Sequence, residues 1–253
     1  MPGQAVASER VREEWRRRVV AEYTSAAIAQ EISLWLTQVG ASPDLVKRGL
    51  RVARDEIEHA ALSRRVVLAA GGDPSVAIDR AALALRRTPG APLELDLARA
   101  VASVLCLGET VAVRLFAEIR RGATVAPARA ALDRILRDEV RHRDLGWQAL
   151  GWLLSTPWRA PVTELLDAEL AGMFASLLAG YAPVGVASTD ATRADRAWGL
   201  IAPARYGAVV ARSVERDHLP RFAALGVDAS AAWRRALAGH EHPPGERRGD
   251  RSA

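Results

Sequence analysis

The pattern Asp-Glu-x-x-His occurs twice in this chain, at Asp55-Glu56 with His59 and at Asp138-Glu139 with His142. Glutamate and histidine three residues apart lie on one side of a helix, so each copy offers a carboxylate and an imidazole to one centre. Those are ligand types that iron and manganese both accept. The residues sharing each face read as interior: Val52, Ala53, Ala60, Ser63 and Val66 for the first copy, and Leu132, Ile135, Leu136, Gly146 and Leu153 for the second. A carboxylate turned toward a core is costly unless it is paired or bound to a metal. The duplication therefore predicts a buried metal centre in preference to two surface Glu-His pairs.

A dinuclear centre needs more carboxylates, and the rest of the chain offers them. Glu109 is an isolated acid in the apolar run LCLGETVAV, sharing its face with Leu105, Cys106, Ala112, Val113 and Phe116. Glu22 and Glu31 are candidates from the first helix. Counted from the turn at Gly40, Glu31 sits ~9 Å nearer the turn than Glu56, while Glu22 sits ~4.5 Å farther away and level with His59. Height favours Glu22; the more apolar neighbours Ile28, Leu34 and Trp35 favour Glu31. Tyr23 is a candidate redox-active or neighbouring phenol, although adjacent helical residues face apart. Cys106, one turn before Glu109, reads as a small core residue, with a pocket-lining role as the alternative.

The elements that must hold these groups are helices. Alanine, leucine, arginine and glutamate dominate, strong strand signals are nearly absent, and the fold class is all-α. A first helix is expected over 9–39, ended by Gly40, and a second from Ser42-Pro43 to Gly71-Gly72. A long connection with a short helix at 75–87 leads to a third helix over 93–121 and, past Gly122 and Pro127, a fourth to about 154. Short loop, long crossover, short loop suits a four-helix bundle of two antiparallel hairpins. Two amphipathic segments follow, 161–181 and 192–217, the latter kinked or split at Pro203, then Pro220 and a short helix at 229–238. The expected division is a bundle domain at 9–158, a helical extension packed on it at 159–238, and a disordered tail at 239–253 in which His240 and His242 have no fixed partner.

Composition bounds the function. Of 253 residues, 49% are hydrophobic and 26% charged, enough for one sizeable core. No apolar run is expected to cross a membrane, the N-terminus lacks the apolar core of a secretory signal, and the lone Cys106 points to a reducing, cytoplasmic setting. The net charge of +5 comes from 35 Lys and Arg of which only Lys47 is lysine. The arginines alternate with acids, as in SERVREEWRRR and RILRDEVRHRD, which reads as solvated helix faces and not as a nucleic-acid surface.

Two helix hairpins, each with a lone glutamate followed by Glu-x-x-His about 30 residues later, resemble the ferritin-like di-iron carboxylate superfamily, which includes bacterioferritin, rubrerythrin and di-iron oxygenases. The resemblance covers roughly 10–155 and rests on spacings of 34 from Glu22 to Glu56 and 30 from Glu109 to Glu139. It implies that Glu56 and Glu139 bridge two metals, that Glu22 and Glu109 each hold one terminally, and that His59 and His142 give each a nitrogen. It also implies that Asp55 orients His142 and Asp138 orients His59 from behind. The implied cofactor is a pair of iron ions, with Mn/Fe or Mn/Mn as variants, and O2 as co-substrate. Ile135 stands where arylamine N-oxygenases carry an added histidine, which argues against that reaction. The expected function is an O2-dependent di-iron oxidase or oxygenase, with Glu56 and Glu139 as catalytic residues. A small-molecule substrate and an external electron donor are its expected partners, and the chain is expected to be a monomer or homodimer, without membrane or nucleic acid. The alternatives are a ferroxidase or iron-handling protein without organic substrate, and a metal-stabilised scaffold.

Overall fold

The computed structural model describes residues 6–181 and 190–241, and among these the structure is all-helical. Helix α1 (Glu9–Gln38) begins where Ser8 Oγ accepts the Val11 N–H at 3.2 Å. It stops before Gly40, whose φ of 75° turns the chain back. Ser42 then caps α2 (Pro43–Ala69), with Pro43 at the first position, where its missing N–H costs nothing. These two helices pack along their lengths as a hairpin.

The connection that follows holds only a single 3-10 turn, Arg80–Leu83, where a helix over 75–87 was expected. It is tied down from outside: Glu31 Oε2 accepts the Leu85 N–H at 2.6 Å. A long rod comes next, made of α3 (Leu93–Ala100), a π-helical stretch (Val101–Gly108) and α4 (Glu109–Gly122), and α5 (Ala126–Leu153) returns against it. Helix α5 also packs on α2, which joins the two hairpins. The rod is long and apolar enough to cross a membrane by length and composition, contrary to the sequence expectation, but 61% of its most apolar stretch is buried inside the protein.

Helix α6 (Arg159–Tyr181) starts earlier than expected because Pro161 is tolerated in a first turn. The segment expected as one helix over 192–217 is divided: α7 (Arg193–Ala197), a break, and α8 (Pro203–Ser213), with Pro203 opening the second piece. A π-helical stretch, Val214–His218, carries the chain into α9 (Leu219–Ala224). The widened turn lets the helix continue through Pro220, since Leu219 N–H reaches back to Val214 O and proline needs no such bond. Helix α10 (Ser230–Glu241) runs past 238 and includes His240; His242 and the remainder of the expected tail lie outside the described residues.

Helix α6 packs on α3 and α10, and α8 on α4 and α6. One apolar cluster runs through Leu36, Leu97, Leu105, Leu150, Leu166, Phe174 and Phe222, and so unites the helices of both hairpins with the C-terminal ones. A second gathers Trp15, Ile119, Leu132 and Trp198 at the other end. Each such side chain contributes about 1.5–3 kcal/mol by leaving water.

Candidate metal centre

Two buried groups of acids and histidines lie side by side in the interior. One comprises Glu22, Glu56, His59 and Glu139, the other Glu56, Glu109, Glu139 and His142, and in each the candidate ligand atoms lie within 4.8 Å of one another. Glu56 and Glu139 belong to both. The six residues come from four helical segments: Glu22 from mid-α1, Glu56 and His59 from α2, Glu109 from the first residue of α4, and Glu139 and His142 from α5. All six are buried.

The helical period explains most of this. On α1, Val11, Trp15, Glu22, Ala26 and Ala29 form the inward stripe, and on α2 Val52, Glu56, His59 and Ser63 do the same. Glu109 needs something more. Its N–H reaches back five residues to Val104 O, closing the π-helical stretch. One extra residue in a turn rotates everything downstream by about 100°, so the irregularity helps decide which face Glu109 presents. Neighbouring helices meet the carbonyls of this region: His218 Nε2 lies 3.1 Å from Leu107 O, and Ser213 Oγ donates to Thr110 O at 3.4 Å.

Each histidine is flanked by acids on both sides. His59 Nδ1 lies 3.5 Å from Glu56, 3.5 Å from Glu139 and 3.7 Å from Glu22, while its Nε2 is 3.2 Å from Asp138 Oδ2. His142 Nδ1 lies 2.9 Å from Glu56 and 3.7 Å from Glu139, and its Nε2 is 3.7 Å from Asp55. The two rings stand 5.5 Å apart. Asp55 and Asp138 are braced in turn by arginines: Arg134 Nε donates to Asp138 at 2.5 Å, and Arg141 joins Asp138 to Asp55, the latter at 3.1 Å. Arg134 and Arg141, read from the sequence as solvated, therefore cover the back of the cluster.

The charge balance among these groups is strained. Burial pushes Glu22 up to about 8 against the pull of His59, with the charges of Glu56 and Glu139 adding to the rise. Burial raises Glu109 well above the carboxylate range, and the charge of Glu139 raises it further. Burial would raise Glu56 as well, but the imidazoles of His142 and His59 hold it down to about 2. Burial disfavours a charged His59, yet Glu22 and Glu56 keep it protonated up to about 11, and His142 is raised in the same way by Asp55, Glu139 and Glu56. Asp55 and Asp138 lie below the usual aspartate range despite burial, Asp55 because of His142 and Arg141, Asp138 because of Arg134, His59 and Arg141.

Several atoms in this cluster have no hydrogen-bond partner: Glu56 Oε2, Glu139 Oε2, His59 Nδ1 and both ring nitrogens of His142. Buried polar atoms are seldom left unpaired, because each costs about 1–3 kcal/mol. Carboxylate oxygens and imidazole nitrogens that converge without bonding one another are the donor set of a divalent transition metal. The residues present fit such ions.

Of the other sequence candidates, Glu31 is engaged with the crossover at Leu85, away from the cluster. Tyr23 is 43% exposed and faces outward, as its adjacency to Glu22 requires. Cys106 is a buried core residue whose thiol burial pushes up, out of its reactive range, and it does not line the cavity described next.

A cavity of about 730 Å³ opens beside the cluster and reaches Glu22, Glu56, Glu109 and Glu139. Its walls are Val104, Leu115, Phe116 and Ile119 from the rod, Tyr181 at the end of α6, and Pro203, Tyr206 and Gly207 of α8. Tyr181 is close enough that, after burial, the charges of Glu109, Glu139 and Glu22 raise its phenol pKa further. Tyr206 falls on the apolar side of the amphipathic segment expected over 192–217 and Tyr181 at the end of the one over 161–181, but the sequence alone singles out neither Tyr181 nor Arg18. Compared with known proteins, the chain matches no family model, no curated protein and no solved structure.

Proposed function

We propose that the chain is a ferritin-like four-helix bundle of α1, α2, the α3–α4 rod and α5, and that it works as an O2-dependent di-iron oxidase or oxygenase on a small organic substrate. One observation carries this reading: two ligand groups that share Glu56 and Glu139 open onto a cavity whose far wall is built by α6 and α8. Glu22 and His59 would hold one ion, Glu109 and His142 the other, and Glu56 and Glu139 would contribute to both. Four carboxylates then balance two divalent charges in a dry interior, which is the condition for a stable buried pair. When bound, the two irons supply the electrons that O2 chemistry requires.

The protein's own residues would do the rest. Asp138 pairs with the outer nitrogen of His59, which fixes the tautomer and leaves Nδ1 facing the cluster, and Asp55, 3.7 Å from the outer nitrogen of His142, would do the same for that ring once it closed the gap. The apolar walls Val104, Leu115, Phe116 and Ile119 would limit water at the reacting end of the cavity. Tyr181, kept protonated by burial and the neighbouring acids, would offer a hydroxyl proton there.

The test is metal analysis followed by anaerobic ferrous titration and admission of O2. Binding of about two ferrous ions per chain, and O2 uptake without a mineral core, is the expected result. A saturating stoichiometry of one or less ends the dinuclear reading. Rapid iron oxidation with a mineral core in a large assembly would favour the iron-handling alternative.

A further inference from the structure

The cavity has a second polar end. Arg18 lines it, one helical turn before Glu22 on α1, and is only 7% exposed. Its guanidinium is held firmly: Nη2 donates to Gly199 O at 2.9 Å and lies 3.4 Å from Glu14 Oε1, and the group stacks 4.3 Å from the centre of the Trp15 ring. Gly199 takes this position at a φ of 83°, which favours glycine, and a Cβ there would press on the Leu132 Cδ1 methyl at 2.7 Å. Nη1 of the same guanidinium has no hydrogen-bond partner. Tyr206 stands at the same end, its phenol raised by burial and pulled back by Arg18.

A buried guanidinium fixed on one side and unsatisfied on the other is a preorganised donor for an oxyanion. We propose that Arg18 anchors the carboxylate of a small organic acid, with Tyr206 beside it, while the acid's apolar body extends along the cavity toward Glu22 and Glu109. The inference rests on the dinuclear reading above and deepens it by naming the substrate class. Charge supports a monoanion. Four glutamates and two divalent ions cancel, and Arg17 and Arg18 against Glu14 leave one positive charge on the cavity wall. A carboxylate matches that charge, whereas a phosphate ester would carry about two negative charges. Arg18 precedes Glu22 by one helical turn, about 6 Å along the axis, so the acid's body would run along α1 from the anchor toward the cluster.

Calorimetry on the full-length protein loaded with redox-silent zinc tests this without turnover. Octanoate, 1-octanol and octylamine share a chain and differ in the head group. Octanoate should bind the zinc-loaded wild type at least about tenfold more tightly than octanol, and octylamine more weakly than either. In Arg18→Met, which keeps the stacking bulk, octanol affinity should persist and the octanoate preference should vanish. Equal affinities for octanoate and octanol in wild type would overturn the proposal, a comparison that needs no variant to fold. So would a preference that survives in a folded Arg18→Met protein, since the carboxylate would then be bound elsewhere. The zinc count separates the two readings: fewer than about two zinc ions per chain removes the dinuclear centre and this inference with it, while full loading without head-group preference removes the inference alone.

Discussion

The two halves of the candidate centre carry the same Asp-Glu-x-x-His pattern on helices of different construction. In the first half, α1 and α2 are regular, and Glu22 stands 3.7 Å from His59, whose outer nitrogen meets Asp138 at 3.2 Å. In the second, Glu109 follows a π-helical stretch, forms no ion pair with His142, and the matching aspartate contact, Asp55 to His142, is 3.7 Å. Both halves are tied to the C-terminal segment, the second at its irregular stretch, through His218 on Leu107 O and Ser213 on Thr110 O, and the first through Trp15 on Trp198 O and Arg18 on Gly199 O. The contrast is one of construction: a regular half, and an irregular half in which a π-helical stretch sets the face that Glu109 presents, with both lining the cavity.

Substitutions can break this contrast in order of severity. Glu139→Ala removes a carboxylate common to both groups and should abolish dinuclear binding, whereas Glu22→Ala and Glu109→Ala should each leave about one metal per chain by elemental analysis. Glu31→Ala serves as the control: it keeps the full metal count and loses only about 1 kcal/mol through the freed Leu85 N–H. Next come the aspartates. Asp138→Ala and Asp55→Ala should weaken metal affinity roughly 10- to 100-fold in competition with a chelator, with the larger loss at Asp138, whose contact with histidine is the shorter. Equal losses would erase the asymmetry proposed here.

Two glycines sharpen the contrast at the level of packing. A methyl on Gly146 would come within 2.7 Å of the Leu105 backbone carbonyl carbon and 2.9 Å of Cys106 N, so α5 would be forced off the π-helical stretch. A methyl on Gly49 meets the Ser33 hydroxyl instead, at 2.4 Å. Backbone cannot step aside, whereas Ser33 can turn at the loss of its bond to Ala29 O, so Gly146→Ala should cost about 1–3 kcal/mol in urea unfolding and Gly49→Ala less. The smallest effect concerns acid. Asp96, at the start of the irregular rod, is raised by burial but held net below its ordinary value by Thr88 and Arg87. A depressed folded pKa stabilises above the unfolded value of about 3.9 and loses that contribution as pH falls through the folded one. Asp96→Asn should therefore lower stability by about 1 kcal/mol at pH 7 and flatten its decline below pH 4, as urea midpoints across that range would reveal.

How far these features can be read without coordinates varies by residue. The six candidate ligands were legible because a buried carboxylate on an apolar stripe is expensive enough to stand out, and because helix rise sets the heights of Glu22 and Glu31. Gly40, Ser42-Pro43 and Gly71 marked the helix ends for equally local reasons. The π-helical stretches were not legible, since one extra residue in an apolar helical run leaves no compositional trace. Pro220 looked like a stop because the widened turn before it was invisible. Arg18 sat within a run of arginines that resembles a wet surface, yet the spacing of Val11, Trp15, Arg18 and Glu22 already put it on the inward stripe. The period carried more information there than the charge.

The lone Cys106 lies where the backbone of Gly146 presses on the π-helical stretch, with its sulfur fully enclosed. A thiol reagent can reach it only when the packing of α5 or of the C-terminal helices around the π-helical stretch opens. The rate of its modification thus serves as a clock for opening around the π-helical stretch, within the second half. With reagent in excess and reclosing fast, the rate scales with the open population. Metal loading and an acid in the cavity should each slow the clock, and Gly146→Ala should speed it, giving a measure of how firmly the irregular half stays closed over time without reference to turnover.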